Sequence, residues 1–209
     1  DITRAHAGVG WITEHLWHYL TDRGAEVHVI PTLGQHVPHT KEMNEWMFGS
    51  IPEQNIHAHD WKNGVVNVGE VPAEVVKEAT GGAVDWPFPV DLNKMLIGEH
   101  WDLILNIGHV VPHEVLGFAN HNKNTFIGLG GKRLLGASHM CSAVYGIENN
   151  LGNLLTPTRA CFNWAEDHLI ADLPHVYYQL VMAYDDEGEL RHTGVFVGSD
   201  RDTYFDAAR

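Results

Sequence analysis

Trp101 to Ile107 reads WDLILNI, a short continuous apolar run closed at its far end by Gly108. A run of this length without strict alternation suits a strand buried on both faces, and such strands occur in α/β sheets covered by helices. Strand-like and helix-like patterns alternate around it. Apolar residues at helical spacing (Ile12, Leu16, Tyr19, Leu20) predict a helix over 10–23, with Thr13 as its cap and Gly24 as its end. AEVHVI, 25–30, alternates as a strand and stops at Pro31, and Thr40 caps a short helix to Phe48. A strand over 65–68, a helical turn over 72–79 and a strand over 88–92 leading into a short helix come next. Helices are predicted over 138–151 and 157–173. Strands over 177–184 and 190–197, joined across DDEGE, form a hairpin, and Asp200 caps a last helix. The pattern predicts an α/β fold: a largely parallel, Rossmann-like sheet flanked by helices, with an added antiparallel hairpin. No repeat or linker divides residues 1–209, which read as one domain.

Charge narrows the function classes. Thirteen basic residues against 27 acidic ones give a formal charge of −14, a surface that repels nucleic-acid phosphates. It also repels small anions, so a carboxylate site would need its own local cation. Two cysteines, Cys141 and Cys161, are too few for a disulfide scaffold and fit a reducing compartment. No apolar run approaches a membrane span and no signal peptide is visible, so the expected location is cytoplasmic. The chain opens at Asp1 inside a polar motif, DITR, and reads as an excised piece of a longer polypeptide. Of its sixteen histidines, His6, His15, His18, His57, His59 and His192 read as surface scatter.

In open α/β sheets, ligands sit beyond the carboxyl ends of the strands. DITR (1–4), GQHVPH (34–39) and GHVVPH (108–113) open the chain or follow strand patterns, so all three could face one crevice. His36 and His113 can give or take a proton at neutral pH, and two imidazoles facing each other across a small substrate suit inversion of a stereocentre. Arg4 offers a fork for a carboxylate, with Asp1 to orient it or to hold a cofactor hydroxyl. Lys123 follows His113 by ten residues and His139 follows Lys123 by sixteen, a spacing that matches no common zinc pattern. The ordinary readings are a solvated loop lysine and a histidine near a helix start. The glycines at 128, 130, 131 and 136 form no phosphate-binding fingerprint, and Lys132-Arg133 are a weak phosphate suggestion.

Taken together these motifs resemble the nickel-dependent lactate racemase family, over Asp1 to about Gly152. The carriers are DxTR (Asp1, Thr3, Arg4), GxHxP (Gly34, His36, Pro38), IGxVVPH with the following Gly117 and Phe118, then Lys123 and His139. The resemblance implies a nickel-pincer nucleotide, pyridinium-3,5-bisthiocarboxylic acid mononucleotide, attached through a thioamide to Lys123, with Asp1 a further cofactor contact. It implies His139 as the nickel ligand, His36 and His113 as the acid/base pair, and Arg4 as the residue that binds the substrate carboxylate. The implied activity is racemisation or epimerisation of a small 2-hydroxycarboxylate by hydride transfer to and from that cofactor.

This chain departs from the family pattern before Lys123, where many members carry GFSGG and it carries Gly117-Phe118-Ala119-Asn120-His121-Asn122. The polar Asn-His-Asn suggests a substrate more hydroxylated than lactate, such as a sugar acid. The family also has a C-terminal domain, absent from 1–209, so these residues read as its N-terminal, catalytic-residue-bearing domain, which on its own could be inactive. The alternative is a non-catalytic domain that binds a cofactor or metal without turnover. A zinc-type hydrolase is disfavoured, because no zinc-type carboxylate–histidine motif is present.

Overall fold

The computed structural model describes residues 7–209; Asp1, Thr3, Arg4 and His6 lie outside the described residues. The apolar run becomes β3 (Ile104–His109), and the strand pattern near the end of the chain becomes the hairpin β6 (His175–Tyr184) and β7 (Leu190–Gly198). β6 lies at the centre of this sheet, parallel to β3 from Ile104↔His175 to His109↔Leu180 and antiparallel to β7.

A second ribbon pairs β1 (Val65–Val71) with β2 (Phe88–Asn93), antiparallel. Its apolar side, with Phe88, Val90 and Leu92 from β2, packs against Leu134 and Cys141 of α5 (Lys132–Tyr145) and Phe162 and Ala165 of α7 (Pro157–Leu169), forming the main core. A smaller cluster joins α1 (Val9–Thr21) to α2 (Lys41–Phe48) through Met47, Phe48 and Trp17. A third seats Tyr204 and Ala207 of the last helix, Arg201–Ala207, beside Val181 and Phe196 of the hairpin. No helix among the described residues is long and apolar enough to cross a membrane.

The mixed α/β class and the hairpin are as the sequence predicts, but among the described residues strand-to-strand parallel pairing is confined to β3 and β6. AEVHVI forms no ladder among the described residues: only Val29 bridges, to Ile56, and the Val27 carbonyl accepts from the Asn55 side-chain amide (3.1 Å). Thr13 does not cap α1. Gly8 is the N-cap residue, and Thr13 lies inside the helix with its hydroxyl bonded to the Val9 carbonyl (2.7 Å). Thr40 and Asp200 do cap, accepting from the backbone N–H of Met43 and Thr203. His59 is not surface scatter: it is 3% exposed, accepts from Asn93 Nδ2 at Nδ1 and donates to the Gly130 carbonyl.

Candidate functional site

β3 delivers the chain to the site. After His109 it turns into β4 (Pro112–His113), which pairs with β5 (Gly117–Phe118), so that His113 sits at the base of a small hairpin with Glu114 in its tip. The chain then folds back along the β3–β6 seam. Asn120 Nδ2 donates to the Gly108 carbonyl (2.9 Å) and to Gln179 Oε1 (2.6 Å), and Asn124 Nδ2 to Asn106 Oδ1 (2.9 Å). This fit requires glycine at 108, where a Cβ would stand 2.2 Å from Asn120 Oδ1. Lys123 caps a single π-helical turn, Asn124–Gly128, an irregularity often found at functional sites.

The loop carrying His36 docks on that turn. Gly34 takes φ +57°, donates to the Gly128 carbonyl (2.8 Å), and would bring a Cβ to 3.0 Å from the Ile127 carbonyl oxygen. His36, His113, Lys123 and His139 all line one cavity of about 1220 Å³, walled by the outer edge of β3, the 24–36 segment and one face of α1. Arg4 and Asp1 lie outside the described residues, so their placement relative to the cavity is not described.

The two best-defined imidazoles are held in opposite ways. The Val115 backbone N–H donates to His113 Nδ1 (3.1 Å), so the neutral ring carries its proton on Nε2. His139 Nδ1 lies 2.7 Å from the Leu135 carbonyl, which can only accept, so Nδ1 carries the proton and Nε2 keeps its lone pair. That is the tautomer a metal ligand needs, and the carbonyl partner orients the ring. His139 lies well inside α5 rather than near its start. His36 and His139 are exposed, Lys123 is half-buried, and His113 is buried.

Glu114, which the sequence reading passed over, ties these groups together. Burial alone would raise its carboxyl, but its own backbone N–H and the neighbouring His113, Lys123 and His139 outweigh that and hold it below the ordinary range. Its Oε2 is 3.8 Å from His113 Nδ1. A carboxylate directly after a candidate catalytic histidine was the available signal. Among the described residues no three or more His, Cys, Asp or Glu side chains gather to hold a metal.

Two sequence expectations are corrected here. Asn120, His121 and Asn122 are almost fully buried and absent from the cavity wall, their amides engaged with Gly108, Gln179, Asn163 and Glu166. They build the scaffold behind Lys123 and do not favour a hydroxylated substrate. Arg133 is not a phosphate contact, since it grips Asp91 through two bonds of 2.8 and 2.5 Å.

The family model described as lactate racemase N-terminal domain matches residues 1–150. A search of curated proteins finds no match. Among solved structures, a protein from Thermotoga maritima is similar with 25% identity and a TM-score of 0.80, over 96% of this chain and 49% of that one. The lactate racemase apoprotein from Thermoanaerobacterium thermosaccharolyticum is similar in fold, with 17% identity and a TM-score of 0.70, over 94% and 44% of the two chains. The chain thus spans about half the length of the solved structures it matches.

Proposed function

This chain belongs to the lactate racemase N-terminal domain family, and from that premise we propose that it carries the acid/base and cofactor-holding residues of a 2-hydroxycarboxylate racemase or epimerase. The observation that carries this reading is the convergence of His36, His113, Lys123 and His139, spread over about a hundred positions, on the wall of one cavity beyond β3. The residues fit the implied nickel-pincer nucleotide: the lysine amine is half-buried on that wall, and His139 turns an unprotonated Nε2 away from its helix carbonyl. When bound, the cofactor supplies hydride acceptance and return at the substrate C2, which avoids building a carbanion beside a carboxylate.

The chain supplies binding and proton traffic. Lys123 would hold the cofactor through its amine, His139 would be the protein's metal ligand, and Arg4 would take the substrate carboxylate. His36 and His113, both on the cavity wall, would exchange the hydroxyl proton. With the Val115 N–H at Nδ1, the neutral His113 ring keeps its proton on Nε2. To carry a second proton, the ring must give up the Val115 N–H at Nδ1, and the Glu114 carboxylate 3.8 Å away is the acceptor it can turn to. The substrate class is a small 2-hydroxycarboxylate. The reaction belongs in the cytoplasm, where two buried free thiols stay reduced.

The test uses the full-length protein co-expressed with cofactor-making enzymes. Mass spectrometry should find the adduct on Lys123, and a panel of 2-hydroxy acids should show racemisation. Replacing His36 or His113 with Ala should lower turnover by at least about 10²-fold with nickel retained, whereas His139→Ala should lose the nickel. Full racemisation by Lys123→Ala would end this reading.

A further inference from the structure

Arg159 lies beyond the segment that the family model matches, on the first turn of α7, and is 1% exposed. Burying a guanidinium is costly unless its N–H groups are met, and burial here also lowers its pKa from the ordinary arginine value. No carboxylate among the described residues is hydrogen-bonded to it. Its partners are the Phe118 carbonyl (2.6 Å), the Asn120 carbonyl (3.4 Å), Asn122 Oδ1 (2.5 Å) and the Tyr204 hydroxyl (2.9 Å). Three of the four therefore belong to alternate residues of the stretch leading into Lys123.

That stretch does not hold its shape by local preference. Asn120 (φ +66°) and His121 (φ +56°) are consecutive non-glycine residues in the left-handed region, where the Cβ crowds the following carbonyl oxygen. Such a conformation persists where the surroundings over-determine it. The guanidinium fork spans it from 118 to 122, and the next residue starts the π turn with Lys123 facing the cavity.

We infer that Arg159 is a positioning residue for Lys123, clamping alternate groups of residues 118–122 so that the amine is presented half-buried on the cavity wall. Its consequence for catalysis rests on the reading of Lys123 as the cofactor-bearing amine, but the clamp itself concerns this chain alone. A pulse of acetic anhydride on cofactor-free protein, with acetylation scored per lysine by mass spectrometry, tests it. The ratio of Lys123 labelling to that of the exposed Lys62 and Lys77 should rise at least five-fold in Arg159→Met, and also rise in Arg159→Lys, which keeps the charge and loses the fork. Val76→Ala, a core truncation under α3 (Ala73–Ala79), should leave the ratio within two-fold although it also destabilises the fold. An unchanged ratio in folded Arg159→Met overturns the inference, as does an equal rise in Val76→Ala. If Arg159→Met does not fold, Asn122→Ala removes one clamped acceptor and should raise the ratio at least two-fold; no rise there overturns it too. A missing cofactor adduct on Lys123 would remove the proposed function and leave these labelling results standing.

Discussion

The imidazoles at 113 and 139 are chemically identical side chains set to opposite tautomers by one backbone group each. A backbone donor at Nδ1 of His113 sends the neutral proton to Nε2, and a backbone acceptor at Nδ1 of His139 keeps it there. One neutral ring therefore carries its hydrogen on Nε2 and the other its lone pair there, the difference that the roles proposed for them call for. Long-range proton–nitrogen NMR correlations at pH 8 should show unprotonated nitrogen at Nδ1 of His113 and at Nε2 of His139. Finding the same tautomer at both would remove the geometric basis for their separate roles. The sequence singled out His36, His113, Lys123 and His139, and the fold brings these four to one cavity wall. Which nitrogen each ring presents was not legible there, because that depends on the Val115 N–H and on a carbonyl one helical turn away, partners fixed only by folding.

The strongest misreading at the level of elements is α5, which begins at Lys132 and not at 138. Gly136 resembled a turn residue, but it lies on an open helix face where an added Cβ would touch nothing within 4 Å. Strands and caps with clear local signals (β3, the β6–β7 hairpin, Thr40, Asp200) were legible; AEVHVI was misjudged because alternation reports a half-buried surface and not a paired edge. The first turn of α5 is strapped to β2 by Arg133 on Asp91. Burial would raise the Asp91 carboxyl, but the Arg133 guanidinium and the Asn67 amide outweigh it and hold the pKa below its ordinary value. A depressed carboxylate contributes stability above its unfolded pKa, about 3.9, and loses it as pH falls through the folded value. Arg133→Met should therefore lower the melting temperature at pH 7, with the gap from the parent protein closing as the series is carried toward pH 3. A gap that stays constant over that range would mean the strap acts through packing of the arginine stem rather than through charge.

Across the whole molecule the histidines divide by burial in a way composition could not reveal. His39, His57, His59, His121 and His175 are all shifted below the ordinary imidazole value, burial being the largest cause in each. A histidine whose folded pKa is depressed favours the fold while neutral, so its contribution is intact above the unfolded value of about 6.5 and is lost as pH falls through the folded value. Acid should thus begin to weaken the protein below about pH 6.5, well before the carboxylates titrate. His121 should carry a share of this, being held well below the ordinary value: it is buried, stacked on Tyr177 with ring centroids 4.0 Å apart, and faces the positive charges of Arg159 and Arg201. Replacing it with Phe separates two effects. The new ring must still adopt φ near +56°, a region histidine enters more readily than phenylalanine, so the variant should be less stable at every pH. It cannot protonate, however, so the decline in melting temperature between pH 7.5 and pH 5 should flatten. Offset and slope are read from the same melts, and a variant that lost stability with acid as steeply as its parent would show that the buried charge threatening this fold arises at another residue.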